Sequence, residues 1–170
     1  MDLSAVHAEL ISTARLDLIP LSAAHAEEMA EVLSSPSLHT FTGGAPLAPA
    51  ALRTRYERLV AGSPDPAVSW LNWVIRLRSD ARLTGTVQAT VTGAEAEIAW
   101  VVGAPWQGRG LASEAARGLV SWLEEQAVPT VVAHIHPDHR ASAAVATAAG
   151  LTPTDTWQDD EIRWQRATRP

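Results

Sequence analysis

The chain is 170 residues long, 46% apolar and 19% charged, with a formal charge of −6. That length makes one domain with room for a substantial core, the composition excludes a disordered chain, and the acidic balance argues against nucleic acid as a partner, because phosphate-tracking proteins carry a basic excess. There is no cysteine and all 13 basic residues are arginine, which excludes disulfides, thiol nucleophiles, thiolate metal sites, Schiff-base lysines and a P-loop lysine.

We read residues 1–170 as a single domain with an N-terminal extension over 1–12. The first stretch, MDLSAVHAELIS, has an acid where a signal peptide carries bases. No run approaches the roughly 18 apolar residues of a membrane span, so a cytoplasmic protein without a membrane partner is expected, as a monomer or homodimer. TARLDLIPL, 13–21, predicts a first strand. Ser22 then caps a helix with Ala26, Met29, Ala30 and Leu33 on its apolar stripe. After the loop TGGAPLAP, Pro49 starts a second helix with Leu52, Tyr56, Leu59 and Val60 on one face.

Three strands with period-2 alternation follow. Leu71, Trp73, Ile75 and Leu77 mark the first, Leu83 to Val91 the second, and Ile98, Trp100 and Val102 the third, joined by the turns SDAR and TGAE. A helix is predicted from about Gly110 to Gln126, with Leu111, Ala115, Leu119, Trp122 and Leu123 buried. TVVAHIH is the next strand, parallel to the one before the helix because a crossover separates them. A short helix over 140–149 ends at Gly150, and LTPTDTWQDDEIRWQRA closes the chain as a hairpin turning at the Asp pair. The order β-α-α-β-β-β-α-β-α-β-β is a mixed α/β (α+β) domain.

Residues 105–118, PWQGRGLASEAARG, set two glycines one residue apart before a run of helix formers. Successive backbone N–H groups ahead of the positive end of a helix favour a phosphate, and glycine keeps side chains out of a diphosphate's way. Arg109, in mid-turn, would add a charged contact. The plain alternative is an ordinary helix start. Ser113 stands where a dinucleotide fingerprint needs its third glycine, and a Walker A loop needs a lysine.

The stretch IAWVVGAPWQGRGLASEAARGLVSWL resembles the Gcn5-related N-acetyltransferases (GNAT), and TARLDLIPL with the early helices looks like their ribosomal-protein N-acetyltransferase branch. The family's Q/R-x-x-G-x-G/A motif is matched by Gln107, Gly108, Arg109, Gly110, Leu111 and Ala112. HRASAAVATAAGL is similar to a second family element, N-x-x-S before a helix: Ser142, Gly150 and Leu151 match, while His139 stands where asparagine is usual. The resemblance spans 13–166 and implies the GNAT fold, a mixed, mostly antiparallel sheet of about seven strands flanked by four helices.

A rival reading comes from HIHPDH, 134–139, which fits H-x-H-x-D-H, the zinc signature of metallo-β-lactamase-like hydrolases. That family needs further ligands downstream, and no histidine follows His139. In the acetyltransferase fold this strand splays from the one before the helix, and His139 falls in the cofactor wall.

The resemblance implies acetyl transfer from acetyl-CoA to a primary amine, a protein N-terminus or a small molecule, with no acyl-enzyme and no metal. Backbone groups at Trp100, Val101 and Val102 would hold the pantetheine, with Gln107 to Ser113 at the diphosphate. Glu97 beside the splay is the candidate base, in competition with a plain ion-pair role; Asp159, Asp160 and Glu161 are alternatives. Family members often use a tyrosine as acid, but Tyr56 is the chain's single tyrosine, so Ser142 is the candidate, in competition with helix capping. Trp73, Trp100 and Trp122 fit core positions, which leaves Phe41 and Trp70 as candidates for the substrate pocket. An acyl-CoA-binding module without catalysis is the alternative of another class.

Overall fold

The expected first strand over 13–21 shortens to 16–20, and a two-residue strand over 11–12, in the expected extension, precedes it. The structure, a computed structural model that describes residues 6–167, pairs β1 (Ile11–Ser12) antiparallel with β2 (Leu16–Pro20). Of the extension expected over 1–12, residues 1–5 lie outside the described residues, and the remainder includes β1. Distant side chains shape the turn between the two strands. Arg78 donates to the carbonyls of Thr13, Ala14 and Leu16, and Glu114 accepts from the Thr13 hydroxyl and the Arg15 N–H. These contacts fix the turn from other elements, and no local pattern in 13–21 announces them.

Asp17, on β2, accepts from Ser12 Oγ, Arg76 Nη2 and Arg78 Nη1 at 3.0, 2.9 and 3.1 Å. The Arg76 hydrogen bond does most to hold its carboxyl below the usual range; burial opposes this, and Ser12 and Arg78 add to it. A depressed folded pKa contributes stability that is full above the ordinary carboxylate value of about 4 and lost as pH falls through the folded value. Denaturant midpoints should therefore fall below about pH 4, and Asp17→Asn should make that decline shallower. An equally steep decline in the variant would remove Asp17 from the acid transition.

Ser22 Oγ accepts from the Ala24 N–H and begins a 3₁₀ turn that runs into α1 (Ala26–Val32). In α2 (Pro49–Ala61), Leu52 and Tyr56 are buried, but Val60 is 56% exposed; it lies off the face expected for it. The meander forms as predicted from β3 (Val68–Leu77), β4 (Arg82–Thr92) and β5 (Glu95–Val102), with Trp73, Val87 and Trp100 in one row. The helix α3 (Leu111–Glu125) covers the Trp73 face, where Trp122 meets that ring edge-on at 5.3 Å. Val74 on the opposite face is also fully buried, while its neighbours on that face, Asn72 and Arg76, are half-buried.

The crossover delivers β6 (Thr130–Ile135) parallel to β5, as the connection rule requires. The helix α4 (Arg140–Ala148) and the hairpin of β7 (Thr152–Gln158) and β8 (Glu161–Ala167) complete the chain. Among the described residues the sheet order is β1-β2-β3-β4-β5-β6-β8-β7, eight strands and one more than expected, because β1 adds a strand ahead of the expected first one. Among the described residues, no helix is long and apolar enough to cross a membrane.

Candidate active site

Although parallel, β5 and β6 are paired only where Glu95–Glu97 face Thr130–Val132. Past Glu97, β5 stays on β4 and β6 stays on β8, so the two strands part. Backbone groups of Ile98 to Val102 that point away from β4 are left without a strand partner, the condition for holding an extended ligand. The opening is a cleft of about 590 Å³. Its walls are β5, the turn into α3, the end of β6, and α4, with Glu161 at one end and Phe41 of the α1–α2 connection as a roof.

Gln107 Nε2 donates to the Val102 carbonyl at 3.0 Å and closes the end of β5. Gly108 (φ +79°) and Gly110 (φ +75°) then take left-handed backbone, which glycine adopts without a steric penalty. The N–H groups from Gly108 to Ser113 donate to no acceptor among the described residues. A Cβ at Gly108 would meet nothing within 4 Å, so the space over the turn is open. Unpaired donors at the positive end of a helix, facing open space, fit a diphosphate.

The turn is braced from below. Arg15 Nη1 donates to the Arg109 carbonyl at 2.9 Å, and Arg15 Nε donates to Glu114 Oε1 at 2.7 Å. Burial pushes the Glu114 carboxyl up, but hydrogen bonds from Thr13 and Arg15 and the Arg15 charge outweigh it and leave the group below the usual range. Arg109 itself is exposed and does not line the cleft. In this structure its carbonyl, not its guanidinium, is the engaged group.

His139 is the N-cap of α4: its Nδ1 accepts from the Ser142 N–H at 3.0 Å, which puts the ring hydrogen on Nε2. Burial lowers its pKa, its own backbone works against that, and His136 adds to the lowering, so the ring is neutral. Phe41 packs edge-on to this imidazole at 4.5 Å and lies 5.3 Å from His136. Ser142 therefore leaves the capping role to His139 and lines the cleft. Trp100 also lines it, with its Nε1 buried and unpartnered, whereas Trp70 on β3 does not.

Glu97 stands where the strands part but outside the cleft lining, and its Oε1 lies 2.8 Å from His134 Nδ1. Burial pushes the Glu161 carboxyl up and Asp160 adds to this; His134 pulls it back, Glu97 raises it and His136 lowers it. The histidines of HIHPDH diverge instead of converging. His134 turns to Glu97, His136 lies 3.9 Å from Asp138 and 3.8 Å from Asp160, and His139 caps α4. Among the described residues, no three His, Asp or Glu side chains form a group that could hold a metal ion, so the zinc reading loses its geometry. What the sequence missed was the Glu97–His134 contact and the Arg15–Glu114 brace. Both depend on pairing across elements, which no local spacing signals.

The family model of the acetyltransferase (GNAT) domain matches residues 15–152. An acetyltransferase from Agrobacterium tumefaciens is 26% identical, with a TM-score of 0.73 over 93% of this chain and 94% of that one. A ribosomal-protein-S5-alanine acetyltransferase from Vibrio fischeri (16% identity, TM-score 0.79) is covered over 100% of its length by 95% of this chain. A ribosomal L7/L12 α-N-protein acetyltransferase in complex with coenzyme A (15% identity, TM-score 0.78) aligns over 94% of this chain and 98% of that one. No curated protein matches the sequence.

Proposed function

Because this chain belongs to the GNAT acetyltransferase domain family, we propose that it transfers an acetyl group from acetyl-CoA to a primary amine by direct attack in a ternary complex. One observation carries this reading: the unpartnered N–H donors from Gly108 to Ser113 open onto the cleft where β5 and β6 part. The coenzyme A complex of the L7/L12 acetyltransferase supports the ligand class, and the S5-alanine enzyme supports a protein N-terminal amine as acceptor.

Acetyl-CoA, when bound, supplies the thioester. The turn from Gln107 to Ser113 cradles its diphosphate, and those backbone groups of Trp100 to Val102 that point away from β4, the Val102 carbonyl apart, align the pantetheine. His139 lends its neutral Nε2–H to the same wall, in the place of the family asparagine. Ser142 supplies a hydroxyl for the proton that the leaving sulfur needs. With no cysteine in the chain there is no thiol to carry an acyl-enzyme. An N-terminal amine, with a pKa of about 7.7–8.0 against about 10.4 for lysine, demands little of a base. Glu97, at the parting of the strands, supplies the local negative charge for that deprotonation.

A second reading, an acyl-CoA-binding module without catalysis, is favoured by one feature: Tyr56 lies buried in α2, outside the cleft lining, and gives no phenolic acid. Acetyl-CoA at 100 times its Kd should raise stability by about 2.7 kcal/mol under either reading. Thiol release with a panel of amines and N-terminal peptides separates them. Stabilisation without release across the panel establishes the module; no stabilisation at all overturns both.

A further inference from the structure

Glu97 opposes Val132 in the β5–β6 register, and His134 lies two residues further along β6, so Glu97 and His134 share one face of the sheet. They stand where backbone pairing ends, and the Nδ1–Oε1 contact of 2.8 Å bridges the strands as these separate. His134 lines the cleft and Glu97 does not. The side chain of His134 is 10% exposed, against 48% for Glu97, which keeps the imidazole inside and the carboxylate at the water boundary.

We propose that His134 is the catalytic base, taking the proton of the acceptor amine at Nε2, and that Glu97 is a positioning residue that sets its tautomer. This rests on the acetyl-transfer reading above. An ionised carboxylate can only accept, so the hydrogen of the neutral ring sits on Nδ1 and the Nε2 lone pair is left free. No protein group among the described residues occupies Nε2. As the amine nitrogen bonds to the acyl carbon, the C–S bond breaks and its electron pair leaves on sulfur. The proton that Nε2 takes is the ammonium's, removed before attack, and the Glu97 charge stabilises the imidazolium until solvent takes it; the second nitrogen proton goes to the leaving sulfur by way of the Ser142 hydroxyl. His136 is less suited, because its Nδ1 accepts from the Asp138 N–H at 3.1 Å, which puts the hydrogen of the neutral ring on Nε2, 3.8 Å from Asp160, and leaves no free lone pair.

The charged and titratable groups around His134 are Glu97 on β5, His136 just past the end of β6, and Asp160, Glu161 and Arg163 on β8 and its turn. Arg163 sits directly opposite His134 but donates to Glu95. The α1–α2 connection presents no charged side chain to the cleft. The test measures kcat/KM against pH for the wild type, His134→Gln and Glu97→Gln, with acetyl-CoA Kd by calorimetry and the His134 ring by ¹⁵N NMR. His134→Gln should lower kcat/KM about 100-fold near neutral pH, with Kd unchanged, and the deficit should shrink as rising pH supplies neutral amine. Glu97→Gln should lower it less and release the ring from its fixed Nδ1–H form in the ¹⁵N spectrum, a change that a merely structural glutamate–histidine contact to a non-reacting ring would not couple to rate. A His134→Gln profile parallel to the wild type, or an Nε2–H ring in the wild type, overturns the dyad and leaves acetyl transfer standing. Silence of the wild type with every amine overturns both.

Discussion

Gly108→Val should weaken acetyl-CoA binding about 100-fold or more while the protein stays folded. Charge-assisted hydrogen bonds are worth about 1.5–3 kcal/mol each, so the loss of two accounts for that factor at about 1.4 kcal/mol per decade. The side chain would project over the unpartnered donors of the turn, where nothing in the chain lies within 4 Å of the new Cβ. Its protein-side cost is backbone strain, since φ of +79° is left-handed and disfavours a β-branched residue by about 1–2 kcal/mol. Gly108→Asn separates the two effects, because asparagine tolerates that backbone yet still covers the donors. Calorimetry should find both variants defective. An asparagine variant with wild-type affinity would show that backbone strain, not a blocked cradle, caused the valine defect.

Glu114→Ala should cost about 2 kcal/mol of stability, a fall in Tm of about 4–8 °C for a domain of this size. The carboxylate is buried and accepts from the Thr13 hydroxyl, the Arg15 N–H and Arg15 Nε, so its removal orphans donors on both sides of a tight turn. The ion-pair share of that cost is small, because Arg15 is 46% exposed and solvent screens it. Arg15 would also lose its grip on the Arg109 carbonyl, so acetyl-CoA affinity should drop by about tenfold. Arg15→Gln should lower affinity with a smaller loss of Tm, since Glu114 keeps Thr13. Unchanged affinity in Arg15→Gln would show that the brace serves the fold alone.

How far the site was legible depends on whether each feature is local. The turn, its glycines, and the helix after it stand together in 107–123, so Gln107, Gly108 and Gly110 could be read directly and fall on the cleft. Ser142 and His139 could be placed because they sit at the start of a helix, although capping fell to His139 rather than Ser142. Phe41 reached the cleft and Trp70 did not, and nothing in their neighbouring residues distinguished them. The metal reading of HIHPDH failed for a related reason. Spacing along a strand fixes which residues share a face, but not where their rings turn once a partner strand supplies acceptors.

By itself, the sequence determined the element order from 16 onward, the three-strand meander, the parallel crossover and the glycine turn before α3, because each follows from period, turn chemistry or chain connectivity. Only the tertiary structure decided the added strand β1, the Arg15–Glu114 brace and the Glu97–His134 contact. Glu114 lies 99 residues from Arg15 and Glu97 lies 37 from His134, so these partners meet only when separate elements pack. Hydrogen bonds act over about 3 Å and carry no trace along the chain between their ends.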